Sequence, residues 1–211
     1  MKYGDEPIVV GTLTVECQEM MFYQYLPIKL KDNPVCDVEA RLNVFKKLIS
    51  MACVDFYREF GPDALNESYV YLTAKNQYQK GDIKFNRPGY HSDGFLTDDI
   101  NYIWSDKNPT VFNNSEFNLT LDDVISLQEM ESQALKENEF SFPNNTMLKL
   151  NQFNIHKVSD NQEEGIRTFV KISFSKDKYD LVGNSHNYLL DYNWKMKSRN
   201  QSRNIPQSKI K

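Results

Sequence analysis

The chain has 211 residues, 40% of them hydrophobic and 13% aromatic, which is enough for a folded domain and excludes wholesale disorder. A formal net charge of −4 excludes a nucleic-acid binder that works through a positive field over its whole surface. Cys17, Cys36 and Cys53 form no CxxC pair, which argues against a zinc knuckle or a redox dithiol. We see no secretory signal and no apolar run of about 20 residues, so we predict a cytoplasmic protein without a membrane segment.

The first half of the chain predicts one helix among short strands. Residues 8–20 are rich in β-branched side chains and favour a strand. Apolar side chains recur every three or four positions in residues 37–61, which predicts an amphipathic helix that ends at Gly61-Pro62. Further strand candidates span 68–79, 99–106 and 109–112. Residues 81–93 are predicted as a turn that leads into another strand.

The second half predicts an inserted helix and three further strand candidates. Residues 120–138 favour a helix, with Thr120 or Asp122 near its N-terminal cap. The strand candidates are 140–150, 153–159 and 166–175. Residues 195–211 contain six basic and no acidic side chains and show no pattern, which predicts a flexible, basic tail.

This order of elements predicts a mainly β protein, a sandwich or barrel with helices packed outside it. The last strand shows why, because its side chains alternate between two faces. One face is apolar and could pack against the early helix; it carries Thr168, Val170, Ile172 and Phe174. The other mixes charge with an aromatic ring, as the lining of a polar cavity would; it carries Arg167, Phe169, Lys171 and Ser173.

Three residues form a candidate metal site. His91 and Asp93 are two positions apart, so on an extended backbone both project to one face, and Gly94 allows a sharp turn directly after them. His156 lies in a later strand candidate. Two histidines and one carboxylate can occupy one face of an octahedron and leave the other positions open, the arrangement that suits non-heme Fe(II).

Arg167 is the candidate anion-binding residue. It would lie on the polar face of the last strand, where an unpaired buried charge is costly and an anionic partner is needed. The guanidinium binds carboxylates through two parallel hydrogen bonds. A dicarboxylate cosubstrate would supply such a partner.

The stretch HSD, followed much later by HKVSDNQEEGIRTFVKISF, resembles the HxD…H…R pattern of the Fe(II)- and 2-oxoglutarate-dependent oxygenases. The resemblance covers about residues 68–175, and Gly165 and Arg167 match the family's usual ending. The compact prolyl-hydroxylase type is the nearest in appearance, but a G-G-x-L motif is missing where this chain has DKNPTVF. We therefore assign no subfamily.

The resemblance implies a double-stranded β-helix core, of the jelly-roll or cupin type, in a single domain of residues 1–194. Its helical insertion lies near 120–138, and 195–211 is the tail. His91, Asp93 and His156 would bind Fe(II). The cosubstrate 2-oxoglutarate would chelate the metal and pair its far carboxylate with Arg167, with Tyr102 as a second hydrogen-bond partner. With O2, the expected reaction is hydroxylation of a substrate C–H bond, with release of succinate and CO2.

The substrate class stays open at this level. Arg87, Trp104, Tyr78 and Asn76 are candidate substrate contacts, although Arg87 could equally form a surface ion pair and Trp104 could be plain core. We expect a small-molecule, amino-acid-type or nucleotide substrate. The basic tail is either a solvated end or a contact for a nucleic-acid backbone.

Two other functions fit the same residues. The first is a non-catalytic jelly-roll binding module that keeps the fold, which would have no need for an open metal site. The second is a metal-dependent hydrolase that uses the same three ligands with zinc, in which case Arg167 would have no cosubstrate to bind. The third histidine, His186, is interpreted as a surface loop residue.

Overall fold

The computed structural model describes residues 2–80, 88–160 and 162–199, and within these ranges the protein is mainly β, as predicted. The strands are β1 (Ile8–Thr12), β2 (Met21–Lys29), β3 (Tyr69–Gln79), β4 (Ile100–Ser105), β5 (Val111–Asn113), β6 (Glu139–Ser141), β7 (Thr146–Leu150), β8 (His156–Lys157) and β9 (Gly165–Ser175). The helices are α1 (Lys46–Glu67) and α2 (Ile125–Gln133), with short 3-10 turns at Ala40–Phe45 and Lys136–Asn138. None of the helices described is long and apolar enough to cross a membrane.

The strands form two antiparallel sheets. The larger has the order β1-β7-β4-β9-β3-β2, and the smaller has the order β6-β5-β8. Phe112 of the small sheet packs in one cluster with Ile103, Leu148 and Leu150 of the large sheet. The two sheets therefore share a buried interface, and β9 lies near the middle of the larger one.

The two faces of β9 differ as predicted. On one face, Val170, Ile172 and Phe174 belong to the main hydrophobic core. The Phe174 ring stacks on Phe56 of α1 with ring centroids 4.2 Å apart, so this face packs against the helix. We call it the helix face. The opposite face, which carries Lys171, is called the inner face.

The predicted helix is correct in position and is interrupted at Gly61 as predicted, but a second short helix follows it directly. Gly61 breaks it, with a φ of 84° that glycine tolerates. Helical structure resumes at Pro62, because proline suits the first turn of a helix, and continues to Glu67. Its N-terminal part, from Ala40 to Phe45, is a 3-10 turn.

Three strand predictions need correction. The first strand candidate ends at Thr12, and the next strand, β2, was not predicted. Residues 140–150 form two strands separated by a turn, in which Asn145 has a φ of 65°. Within 81–93, residues 88–93 form no strand, although His91 makes an isolated β-bridge.

The start of the predicted tail is ordered against the body of the protein. Lys197 bridges to Leu181, and its ammonium pairs with Asp180 at 2.8 Å. The guanidinium of Arg199 donates to the Val182 carbonyl. Residues 195–199 are therefore not a free tail, and 200–211 lie outside the described residues.

Candidate metal centre

His91 and His156 are held side by side by their backbones. Each accepts and donates one backbone hydrogen bond with the other, both 2.9 Å long. The two imidazole rings have centroids 4.6 Å apart. A single antiparallel β-bridge thus brings together two side chains that lie 65 positions apart in the sequence.

The Nδ1 atoms of both histidines face backbone carbonyls. His91 Nδ1 lies 3.0 Å from the Gly89 oxygen, and His156 Nδ1 lies 2.9 Å from the Asn154 oxygen. A carbonyl at this distance favours a proton on Nδ1 and leaves Nε2 as the lone-pair nitrogen. Such outer hydrogen bonds are typical of metal-binding histidines because they fix the tautomer and the ring orientation.

Asp93 completes the set, and Gly94 directs it. Asp93 Oδ2 lies 3.7 Å from His156 Nε2. Gly94 has a φ of 71°, and a Cβ at this position would lie 2.8 Å from the Thr97 hydroxyl, so the turn requires glycine as predicted. One ligand atom from each of His91, Asp93 and His156 lies within 4.8 Å of the others, which is close enough to hold one metal ion.

The residues present fit a metal of intermediate hardness. Two imidazoles with one carboxylate suit Zn, Fe and similar ions, whereas Mg and Ca prefer oxygen ligands alone. His91 and His156 are buried and Asp93 is half-buried, so an ion here would keep positions for further ligands. The geometry establishes a candidate metal centre.

A lysine and a tyrosine fix the second oxygen of Asp93. Lys171 Nζ donates to Asp93 Oδ1 at 3.1 Å and to the Tyr25 hydroxyl at 3.1 Å. The ammonium also lies 4.9 Å from the Tyr25 ring centroid, a cation–π contact. Oδ1 is thus engaged by Lys171 while Oδ2 faces His156, which favours a metal contact through one carboxylate oxygen.

The backbone of β2 is distorted where it presents this tyrosine. Tyr25 has a φ of 47°, and the pairing of β2 with β3 shifts register between Tyr23 and Leu26. The Tyr25 N–H donates to the side-chain hydroxyl of Thr73 on β3. Irregularities of this kind redirect side chains beside functional sites, and here the ring is brought to Lys171.

The charges around Asp93 keep it ionised. Burial alone would raise the pKa of its carboxyl, but Lys171, His156 and His91 outweigh burial, and the pKa lies well below its usual range. The pKa of Lys171 is raised, because its contacts with Asp93 and Tyr25 outweigh the effect of burial. Both groups are therefore charged at neutral pH.

Two further cations share the inner face with Lys171. Lys75 and Arg167 lie on the inner face, because Lys75 pairs with Phe169 across β3 and β9 and Arg167 is two positions from Phe169. Burial, followed by repulsion from Lys171 and Arg167, lowers the pKa of Lys75 to about 8. Burial lowers the pKa of Arg167 to about 10, with Asp106 opposing the shift. The crowding of three cations favours an anion between them.

Arg167 is placed where the sequence predicted, on the polar face of the last strand. Its side chain is buried, its Nε donates to the Lys107 carbonyl at 2.7 Å, and its guanidinium lies 5.0 Å from the Phe169 ring centroid. The structure shows no ion pair between Arg167 and any acid among the described residues. The role predicted for it stays a prediction.

The structure does not bring Tyr102 to the metal centre, and its predicted contact with a cosubstrate stays a prediction. It pairs with Ile172 across β4 and β9, so it lies on the helix face. Its hydroxyl donates to Asp55 Oδ2 of α1 at 2.8 Å, and burial together with this contact raises its pKa. The strand was predicted correctly, but its side chains alternate so that Asn101 and Ile103, and not Tyr102, lie on the inner face.

Trp104 and Asn76, two candidate substrate contacts, also lie on the helix face and not at the metal centre. Trp104 is buried opposite Val170 on the helix face, and its indole N–H donates to the Leu13 carbonyl. Asn76 is buried opposite Thr168, and its amide donates to the carbonyls of Cys17 and Glu19. Both side chains belong to the packing of the large sheet.

The other two candidate contacts are not brought to the centre either. Tyr78 pairs with Ile166 on the helix face, is largely exposed, and donates its hydroxyl to Glu164. Arg87 lies outside the described residues. None of the four candidate substrate contacts is thus placed beside His91 and Asp93 by the described structure.

Sequence reasoning missed the side chains that complete the centre. The alternation of the last strand placed Lys171 on the polar face, but nothing in the sequence paired it with Asp93. Tyr25 lay in a strand that was not predicted, and its left-handed backbone carries no sequence signal, since the residue is not glycine. Lys75 could have been found from the alternation of β3, which puts it on the face of Thr73.

A scan against protein-family models gives no match, and no curated protein matches the sequence. Any function assigned to the chain therefore depends on the geometry of the centre and on the motif pattern.

Proposed function

We propose that this protein is an Fe(II)- and 2-oxoglutarate-dependent oxygenase that hydroxylates a C–H bond. The observation that carries the proposal is the meeting of His91, Asp93 and His156 at the edge of the small sheet, with Asp93 paired to Lys171 of the inner face, which also carries Arg167. In this proposal the two packed sheets are a double-stranded β-helix core, which the antiparallel pairing and the bridge between the two histidines support.

Each residue has a defined task in this reaction. His91, Asp93 and His156 would bind Fe(II), and the bound ion would supply the redox chemistry by which O2 is activated. Arg167 would bind the far carboxylate of 2-oxoglutarate, and Lys75 would add positive charge beside it. Lys171 would hold Asp93 in position. The reaction balances as R–H plus O2 plus 2-oxoglutarate, giving R–OH, succinate and CO2.

The cationic lining favours an oxygenase over the two alternatives. A zinc hydrolase with the same three ligands needs no buried Arg167 on the inner face, whereas a doubly charged cosubstrate would give that guanidinium an anionic partner. A non-catalytic module would not need two histidine nitrogens and a carboxylate oxygen close enough together to bind one metal ion. Both alternatives predict different behaviour toward 2-oxoglutarate.

The test is 2-oxoglutarate turnover. Purified protein with Fe(II), ascorbate, O2 and 2-oxoglutarate is assayed for succinate, and the thermal shift caused by 2-oxoglutarate is measured with Mn(II) in place of Fe(II). We expect succinate release and a stabilising shift, both lost in His156→Ala. Asp98→Ala is the matched control, because Asp98 is an exposed acid in the same turn that contributes no ligand.

The alternatives make opposite predictions in this assay. Neither succinate nor a shift with 2-oxoglutarate, in protein shown to bind the metal, would favour the binding module. Hydrolysis that proceeds without O2 and without 2-oxoglutarate would favour the zinc enzyme.

A further inference from the structure

A cavity of about 170 Å³ lies between β2 and the segment that follows β9. We call this segment, residues 176–199, the C-terminal strap. Aromatic rings dominate the cavity wall, which includes Tyr179, Tyr192, Trp194 and His186. The volume is below the roughly 300 Å³ at which drug-sized pockets begin, so it suits one small ring system.

Contacts with neighbouring side chains hold the aromatic rings of the cavity wall in place. Tyr179 stacks on Tyr71 with centroids 4.1 Å apart, and its hydroxyl donates to Asp99 Oδ2 at 2.6 Å. Trp194 lies edge-on to Tyr69 at 5.5 Å and against Tyr192 at 4.6 Å. Because these contacts hold the rings in place, a flat guest would find a wall that is already formed.

The strap itself is tied to the body of the protein at several points. The Asn187 amide donates to the carbonyls of Pro27 and Asp37, both at 2.9 Å. The Ser185 N–H donates to the Gln24 carbonyl, and the Lys197–Asp180 ion pair closes the strap on itself. The cavity is thus part of the fold and not a gap beneath a loose end.

A row of side-chain contacts runs from the cavity wall to the candidate metal centre. The Tyr179 ring meets the Tyr25 ring edge-on at 5.1 Å, and Tyr25 contacts Lys171, which pairs with Asp93. Along β9, Arg167 lies before Lys171, whereas the strap begins after Ser175. The cavity and the proposed cosubstrate residue therefore lie toward opposite ends of β9, so a base in the cavity and a cosubstrate at Arg167 would not compete for the same space.

The lining selects a neutral ring. None of the described residues that line the cavity is Asp, Glu, Lys or Arg. An ammonium guest would lose its hydration without a carboxylate to offset the loss, which disfavours a methylated amine. Asn193 and His186, both exposed at the rim, offer hydrogen-bond donors and acceptors beside the rings. Aromatic faces with an amide at the edge are the means by which proteins hold unpaired bases.

We propose that this cavity binds a nucleobase of the substrate, through stacking on the strap's aromatic rings and hydrogen bonds at its rim. The inference rests on the proposed oxygenase for its chemistry but not for its binding, which needs no metal. The base can belong to a free nucleoside or to a single strand, and the shared chemistry is the unpaired ring.

Tryptophan fluorescence measures this binding directly. The chain has two tryptophans, and Trp104 is 1% exposed in the core, so Trp194 alone can report on the cavity. Metal-free protein is titrated with the four deoxynucleosides and with a short mixed-sequence single-stranded oligodeoxynucleotide. We expect saturable quenching by at least one of these, and the tighter of the two forms identifies the source of the base.

Two variants keep the reporter and test the wall. His186→Ala removes an exposed rim residue with little risk to folding, and Tyr192→Leu removes a stacking face. We expect Tyr192→Leu to weaken binding about 5- to 150-fold, the range measured for loss of one stacking contact. Tyr57→Ala, a half-exposed aromatic on α1, is the control and should bind as the wild type does.

The outcomes separate this inference from the proposed function. Succinate formation without nucleoside or oligonucleotide quenching overturns the base site and leaves the oxygenase standing. Quenching without any succinate supports the base site and counts against the oxygenase. Quenching by tetramethylammonium but by no base would also overturn the inference, because the cavity would then be a cation cage.

Discussion

The helix face and the inner face of β9 are built from one strand but by different rules. On the helix face, Phe174 stacks on Phe56 and the neighbouring residues fill the main core. On the inner face, Lys171 is also buried but charged, and Asp93 and Tyr25 stabilise its charge. Burial therefore serves two purposes in β9. On the helix face it packs the core, and on the inner face it isolates a charged centre from solvent.

Loss of a histidine ligand should produce the largest change in metal binding and little change in stability. His91→Ala removes one of three ligands, so we expect the affinity for Co(II) to fall by about 100-fold or more, beyond what loss of an outer contact causes. Calorimetric titration of the metal-free protein measures it. His186→Ala, the same substitution at the third histidine, should leave the affinity unchanged, and a similar loss there would contradict the ligand assignment.

Removal of the inner-face cation should destabilise the metal-free protein. Lys171→Met leaves the Asp93 carboxylate without its ammonium partner, and breaking a buried pair in this way costs about 3–5 kcal/mol. Denaturant unfolding measures the change. Saturation with Co(II) should recover part of it, because the metal takes over the charge of Asp93, and an equal loss with and without metal would show that the lysine acts elsewhere.

The same pair should also appear in the pH dependence of stability. The pKa of Asp93 is lower in the folded than in the unfolded protein, so its contribution is present above the unfolded value of about 4 and is lost as the pH falls below it. We expect the wild type to lose more unfolding free energy than Lys171→Met between neutral pH and pH values below that point. Parallel curves for the two proteins would contradict the coupling.

A truncation on the helix face should cost stability and spare the metal. Phe174→Ala removes a ring stacked on α1, and we expect about 3–5 kcal/mol of destabilisation. The folded fraction should bind Co(II) as the wild type does. Tyr57→Ala, on the exposed side of the same helix, should change the unfolding free energy by no more than about 0.5 kcal/mol.

Arg167→Met separates cosubstrate binding from metal binding on the inner face. If the guanidinium binds the far carboxylate, the 2-oxoglutarate concentration for half-maximal succinate release should rise about 10- to 100-fold, or about 1.4–2.8 kcal/mol, which is the range for a charged hydrogen bond. The affinity for Co(II) should not change. An unchanged 2-oxoglutarate requirement would leave Lys75 as the residue to test next.

The smallest effect is expected at Tyr102 and checks its placement on the helix face. Tyr102→Phe removes the hydrogen bond to Asp55, which should cost about 1 kcal/mol of stability. The 2-oxoglutarate requirement should stay at the wild-type value. A raised requirement would mean that Tyr102 reaches the cosubstrate after all.

The sequence could predict features that are local or that repeat with a fixed period. The spacing of His91 and Asp93, the turn at Gly94 and the two faces of β9 all follow from neighbouring residues, and each is present in the structure. Tyr102 shows the limit: the strand was predicted, but a shift of one residue in phase moves a side chain to the other face. Only the pairing of β4 with β9 fixes that phase.

Features that depend on irregular backbone or on distant partners could not be predicted. In β2, Pro27 and the left-handed Tyr25 interrupt the alternation by which a strand is recognised, so both the strand and its contact with Lys171 were missed. The strap was predicted in part as a free tail because its bridge between Leu181 and Lys197 joins residues with no common pattern.

Anomalous diffraction from crystals grown with Fe(II) and 2-oxoglutarate without oxygen would test the central claim most directly. We expect one iron peak at roughly 2.0–2.2 Å from the Nε2 atoms of His91 and His156 and from Asp93 Oδ2. An iron peak on other side chains, or no peak between these three at a saturating concentration of Fe(II), would contradict it.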